Sequence, residues 1–205
     1  MQAGDLAIVM CANRTSGTWS VGVDGGQSWT QVVLNTGQRI FWCRFNGTWG
    51  ADPRFDCTST ACTSAVMLVY RGGGSTFLWA VDVALSYGSA NVGSAPYTVT
   101  RTGLTTVGAD VVALAGWHNL GATTFGSLSG TGWTVSGDAQ YRNTAGSDQS
   151  LSFAHYIAGS PATATGDVSK NSSSNFLGAV WIIAFVNFEP KAALAMNYYR
   201  RRRTT

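Results

Sequence analysis

Two stretches of this 205-residue chain repeat the same blocks in the same order, so its fold must accommodate two copies of one plan. The first copy reads Gly4-Asp5-Leu6-Ala7-Ile8-Val9-Met10, Gly25-Gly26-Gln27-Ser28-Trp29-Thr30, Gln38-Arg39-Ile40-Phe41-Trp42 and Ala65-Val66-Met67-Leu68-Val69-Tyr70. The second answers with Gly108-Ala109-Asp110-Val111-Val112-Ala113-Leu114, Gly130-Thr131-Gly132-Trp133-Thr134, Gln149-Ser150-Leu151-Ser152-Phe153 and Ala179-Val180-Trp181-Ile182-Ile183-Ala184-Phe185. Asp5 and Asp110 lie 105 positions apart, Trp29 and Trp133 104, Gln38 and Gln149 111, and Val66 and Val180 114. The strands therefore persist while the loops change length, which costs little closure entropy. Two copies at this long spacing argue against a solenoid, whose units recur every ~20 to 50 residues. They imply one domain built from two similar β-rich halves.

Composition agrees with many short strands and tight turns. Twenty-five glycines and eight Trp, seven Tyr and nine Phe accompany only 11% charged residues. The apolar runs are short, bounded by Gly, Asn, Asp and Ser, and lack helical periodicity. Strands are expected near 6–12, 18–23, 30–34, 39–45, 64–71 and 77–85, then near 97–100, 110–117, 131–135, 149–157 and 178–187. Ala65 to Tyr70 and Val180 to Val186 are apolar on both faces. Each therefore needs a facing sheet on one side and a loop, tail or partner subunit on the other. The expected fold is an all-β, jelly-roll-like antiparallel sandwich over residues 1–188. Its halves span about 4–71 and 108–187, and the unrepeated crossover spans 72–107. Residues 189–205 form a C-terminal arm, in which Ala192 to Met196 are expected to make one or two helical turns. No run approaches the ~20 apolar residues of a membrane helix, and the N-terminus lacks the basic and long apolar segments of a signal peptide. Neither a leader nor a membrane partner is expected.

Net charge is +3, from thirteen basic and ten acidic residues, but Arg200, Arg201, Arg202 and Arg203 hold four of the thirteen. The remainder is nine against ten, or −1, which suits a polyanion poorly, since affinity there scales with phosphates neutralised. Tyr198 and Tyr199 precede the arginines. Aromatic anchors followed by guanidinium groups favour docking on an acidic protein surface over nucleic acid.

Catalytic and metal chemistry have little to work with. Cys57 and Cys62 form a C-x4-C loop that could close as a disulfide but lacks zinc-ribbon spacing. Cys11 and Cys43 lie in apolar runs and read as buried thiols. No metal site and no cofactor is expected. Nine Asp and one Glu are scattered singly, with no acid and nucleophile pair for glycoside hydrolysis. Gly126-Ser127-Leu128-Ser129-Gly130 has Leu128 where a nucleophile elbow needs serine. Gly72-Gly73-Gly74 lacks the lysine of a phosphate loop and reads as a flexible turn. His118 and His155 have no motif beside them and read as structural, and Asp5 and Asp110 as turn-forming. Trp29 and Trp133, equivalent in the repeat, read as core. Trp19 and Trp49, in polar surroundings, are the candidates for stacking on a glycan.

The blocks Gly4-Asp5-Leu6-Ala7-Ile8-Val9, Ser28-Trp29-Thr30, Phe41-Trp42-Cys43-Arg44 and Met67-Leu68-Val69-Tyr70-Arg71-Gly72, with Gly132-Trp133-Thr134 and Phe153-Ala154-His155-Tyr156, resemble a family of two-half β-sandwich domains. Its members occur in bacteriophage virions and bacterial surface proteins, and the resemblance covers roughly residues 4–187. It implies a non-enzymatic virion structural protein, a capsid decoration (cement) protein or a tail accessory component. Its location would be the virion, assembled in the host cytoplasm, in multiple copies or as a homo-oligomer, with other capsid or tail subunits as partners. The partner-binding residues would be Leu194, Met196, Tyr198, Tyr199, Arg200, Arg201, Arg202 and Arg203 of the arm. The alternative is a carbohydrate-binding, receptor-adhesion module using Trp19 or Trp49.

Overall fold

The structure is a computed structural model that describes residues 1–35, 37–59, 63–92, 97–136, 141–143, 149–173 and 176–190. Lys191 to Thr205 lie outside the described residues, and with them every expected docking residue of the arm and the expected turns at Ala192 to Met196.

The chain is an all-β sandwich of antiparallel sheets. The first half contributes β1 (Leu6–Asn13), β2 (Trp19–Val23), β3 (Thr30–Val33), β4 (Gln38–Arg44), β5 (Arg54–Cys57) and β6 (Thr63–Tyr70). The crossover holds β7 (Leu78–Val92) and β8 (Tyr97–Arg101). The second half contributes β9 (Val111–Asn119), β10 (Phe125–Ser129), β11 (Thr134–Val135), β12 (Tyr141–Asn143), β13 (Gln149–Ala158), β14 (Val168–Ser172) and β15 (Phe176–Phe188).

The repeat reappears as topology. One sheet has the order β3-β4-β1-β6 and another the order β11-β13-β9-β15, with β7 added beside β15 and β12 beside β13. The small sheets match as well: β2 pairs β5, and β10 pairs β14, to which β8 is added. Corresponding strands thus hold corresponding places, and both crossover strands, β7 and β8, sit at sheet ends, where an extra strand disturbs no existing pairing.

The layering explains why β1 and β9 are buried at every position. Side chains alternate between the faces of a strand. Leu6, Ile8 and Met10 of β1 join Leu114, Phe153, Trp181, Ile183 and Phe185 in a central core between the two large sheets. Val9 and Cys11, on the other face of β1, lie under Trp19 and the β2-β5 ribbon with Phe41 and Phe55. Ala113, Ala115 and Trp117, on the other face of β9, lie under Val99, Phe125 and Val168 of the β10-β14-β8 sheet. Four layers result. Val180, Ile182 and Ala184 on the outer face of β15 are covered by the chain's own small sheet, where a loop, tail or neighbouring subunit was expected, whereas Met67 and Val69 on the outer face of β6 stay exposed. Fully burying one such aliphatic or aromatic side chain contributes ~1.5 to 3 kcal/mol, so both central strands are anchored from two sides.

Gly116 is required by this packing, because a Cβ there would lie 2.2 Å from the Trp181 ring. At the start of β1, Asp5 is buried, accepts from Gln2 N at 2.8 Å and pairs with Arg71 at 3.3 Å. Asp110 occupies the equivalent place differently: it is exposed, takes φ +54° and gives its carbonyl to Asn187 N. The Gly72-Gly73-Gly74 turn is tied down, since Gly73 N donates to Asn187 Oδ1 at 2.8 Å and a Cβ on Gly72 would meet Gly4 O at 2.6 Å.

Candidate functional site

The repeated glutamines converge on one histidine. Gln38 ends the turn after β3 and points between the large sheets; Gln149 opens β13 at the corresponding place. Gln38 Nε2 lies 2.6 Å from His118 Nδ1, and His118 Nε2 lies 3.1 Å from Gln149 Oε1. Gln149 Nε2 donates onward to Ser64 Oγ of β6 at 2.7 Å, so the network crosses the central layer twice. An amide N–H facing Nδ1 makes that nitrogen the acceptor and places the ring proton on Nε2. Burial pushes His118 down to about 4, partly opposed by its bond to Gln149, so the ring is neutral near pH 7. With no exposure and both nitrogens engaged, His118 is a cross-link between halves.

His155 sits in a different setting. Its Nδ1 lies 3.0 Å from Ser136 Oγ, which in turn lies 3.2 Å from the Tyr70 hydroxyl, and the Tyr70 and His155 rings meet edge to face at 5.6 Å. Burial lowers His155 and raises Tyr70 to about 12. A neutral imidazole beside a hydroxyl is the beginning of a nucleophile and base pair. Among the described residues, no carboxylate hydrogen-bonds to His155 to orient it. Ser136 and Tyr70 escaped sequence reasoning because the contact spans the two sheets.

The tryptophans divide clearly. Trp19 is corrected: it is 3% exposed and donates Nε1 to Gly37 O at 3.1 Å, so its faces are filled by the protein and unavailable to a glycan. Trp133 is core, with Nε1 on Thr165 O at 3.0 Å. Trp49 is half-buried and stacks on Trp29 with centroids 6.4 Å apart and planes 18° from parallel. Trp29, itself half-buried, is held by Nε1 on Asp24 O at 2.8 Å and by the edge of Phe55. This aromatic pair lies at the margin of the cluster beneath the β2-β5 ribbon, with Trp49 also against the buried Phe45 at 4.9 Å.

Cys11 and Cys43 are buried thiols, each raised to about 12, chiefly by burial and for Cys11 also by the neighbouring Cys57. Cys57 is a thiol that accepts from Asn13 Nδ2 at 3.4 Å, while Cys62 lies outside the described residues. Among the described residues, no three His, Cys, Asp or Glu side chains gather into a group able to hold a metal ion.

Two open cavities mark opposite ends of the seam between the halves. One, of about 460 Å³, is lined by Tyr70, Arg71, Trp79, Val112 and Ile157. The other, of about 430 Å³, is lined by Asn13, Asn35, Gln38, Tyr87, Ser89 and Leu177, among others. Sequence reasoning located neither, although both are lined in part by the unrepeated strand β7.

The chain matches no protein-family model, no curated protein and no solved structure.

Proposed function

We propose that the chain is a non-enzymatic structural component of a bacteriophage particle, a capsid decoration protein or a tail accessory subunit held against neighbouring virion proteins. The observation that carries this reading is the outer face of β6. Among the described residues this strand ends its sheet, pairing with β1 alone, and exposes Ala65, Met67 and Val69 in alternation on one side, with Met67 40% and Val69 43% exposed. An end strand that combines open backbone groups with an apolar strip invites pairing unless something covers it. Val33 on β3, at the opposite end of the same sheet, and Val81 on β7, at the end of the other large sheet, are exposed in the same manner. The sequence resemblance points to the same role, and the basic arm supplies a second attachment. Quantitative mass spectrometry of purified particles from the genome encoding this chain should find it in multiple copies. Particles without it, with the chain confined to the soluble lysate, would overturn the reading.

A second reading, a host-glycan contact, is favoured by the platform of Trp49 on Trp29. Flat apolar ring faces suit the C–H faces of sugars, and Trp49 keeps part of its surface open. Loss of cell-surface binding in Trp49→Ala would support it; unchanged binding would leave the platform a structural cluster.

A further inference from the structure

The seam cavity at the His118 end has the makings of a ligand site of its own. Its volume, about 430 Å³, lies within the ~300 to 1,000 Å³ typical of small-molecule pockets. The first half contributes Asn13 at the end of β1, Asn35 in the turn after β3 and Gln38 at the start of β4; unrepeated β7 contributes Tyr87 and Ser89; β15 contributes Leu177.

Most of these polar groups are already oriented. Asn35 Oδ1 accepts from Gly37 N at 2.8 Å and Nδ2 donates to the Tyr87 hydroxyl at 2.9 Å. Because that hydroxyl accepts from Asn35, its own proton is left to donate elsewhere. Gln38 is 3% exposed, with its Nε2 committed to His118; its Oε1 is buried and has no donor. A buried acceptor left unpaired is unfavourable, so a donor brought against it is favoured. One donor and one acceptor, both held from behind, thus belong to residues lining the same cavity.

The chemistry of the lining selects the ligand. Among the described residues it includes no carboxylate, which disfavours a cation. Arg14, the one charged residue among the described lining, already has a partner, which disfavours an anion. What remains is a set of amides and hydroxyls facing the apolar side chains of Leu120 and Leu177. We infer that this cavity binds a neutral saccharide unit, one sugar hydroxyl donating to Gln38 Oε1 and another accepting from Tyr87, with the apolar sugar face toward Leu120 and Leu177. The site is separate from the Trp49 platform and stands whether or not the chain is a particle component.

The test is amide shift mapping of the full-length ¹⁵N-labelled protein, titrated separately with glucose, galactose, mannose, N-acetylglucosamine, lactose and N,N′-diacetylchitobiose. At least one sugar should move the Asn13, Gly37, Ser89 and Gly178 amides in a saturable manner. Ser89→Trp, which fills the cavity from an exposed position, should weaken that binding by at least about tenfold, and Tyr87→Phe should weaken it while preserving the wild-type melting temperature to within a few degrees. Trp49→Ala should leave it unchanged. The inference is overturned if none of the six sugars moves these amides, if Ser89→Trp binds as well as wild type, or if the shifts vanish only with Trp49→Ala.

Discussion

Gln38 of the first half meets His118 of the second at 2.6 Å, and the glutamine equivalent to Gln38 in the repeat, Gln149, holds the other side of the same ring. One histidine thus records how the halves are joined. It also makes their joint sensitive to acid. The folded pKa of about 4 lies below the ordinary 6.5 because burial disfavours the charged ring. Between those values the unfolded chain binds a proton that the folded chain does not, so stability is fully present above pH 6.5 and falls as pH drops toward 4. The shift corresponds to about 3 kcal/mol. Urea midpoints from pH 7 to pH 4.5 should fall more steeply for wild type than for His118→Leu, which will be less stable at pH 7 but flatter. Equal slopes would remove His118 from the acid response.

Gly116 and Trp181 face one another across the β9-β15 ladder, and the indole occupies the space that a side chain on residue 116 would need. Gly116→Ala forces a 2.2 Å approach onto a ring that is fully buried among Phe153 and its neighbours. Overpacking of a filled core costs ~1 to 3 kcal/mol. A fall in melting temperature of several degrees is expected, whereas Gly159→Ala, where nothing lies within 4 Å, should change little. Equal behaviour of the two variants would contradict the described packing.

Lys170 is a charged residue that the fold handles poorly. It is 1% exposed, its Nζ has no hydrogen-bond partner among the described residues, and it lies over the Trp117 ring, 5.9 Å from Nζ to the centroid. Burial lowers its pKa. Replacing a buried, unpaired ion by an apolar side chain of similar length removes the desolvation cost, so Lys170→Met should stabilise the protein by about 1 kcal/mol or more at pH 7. Chemical denaturation of the two proteins measures this directly, and a destabilised variant would mean that the ammonium has a function.

Much of this arrangement is legible in the chain and some is not, for physical reasons. The strands of the inner sheets announce themselves because both faces are buried, leaving continuous apolar runs such as Leu6 to Met10 and Val180 to Phe185. The ribbon strands β5, β10 and β14 were missed because Arg54-Phe55-Asp56-Cys57, Phe125-Gly126-Ser127-Leu128-Ser129 and Val168-Ser169-Lys170-Asn171-Ser172 bury only alternate or scattered side chains. Strand β7 continues to Val92 through small residues that read as crossover, because pairing along β15 fixes it where side-chain pattern does not. Trp19 misled for a related reason. In a half-buried strand its polar neighbours face solvent while it faces inward. The pairing of Gln38 with Gln149 is visible in the repeat, but their meeting at His118 requires the two sheets to be packed face to face.

On the proposed reading, attachment to neighbouring virion proteins uses the exposed strip on β6 and the basic arm, and the arm is the more separable of the two. β15 ends at Phe188, before Glu189 and Pro190, so truncation after Phe188 spares every strand among the described residues. The decisive measurement is the occupancy of the chain in purified particles, by quantitative mass spectrometry, for the full-length protein and for a version ending at Phe188. The truncated protein should melt within a few degrees of wild type yet be missing from particles. Truncated protein present at wild-type occupancy would contradict the arm's role in attachment.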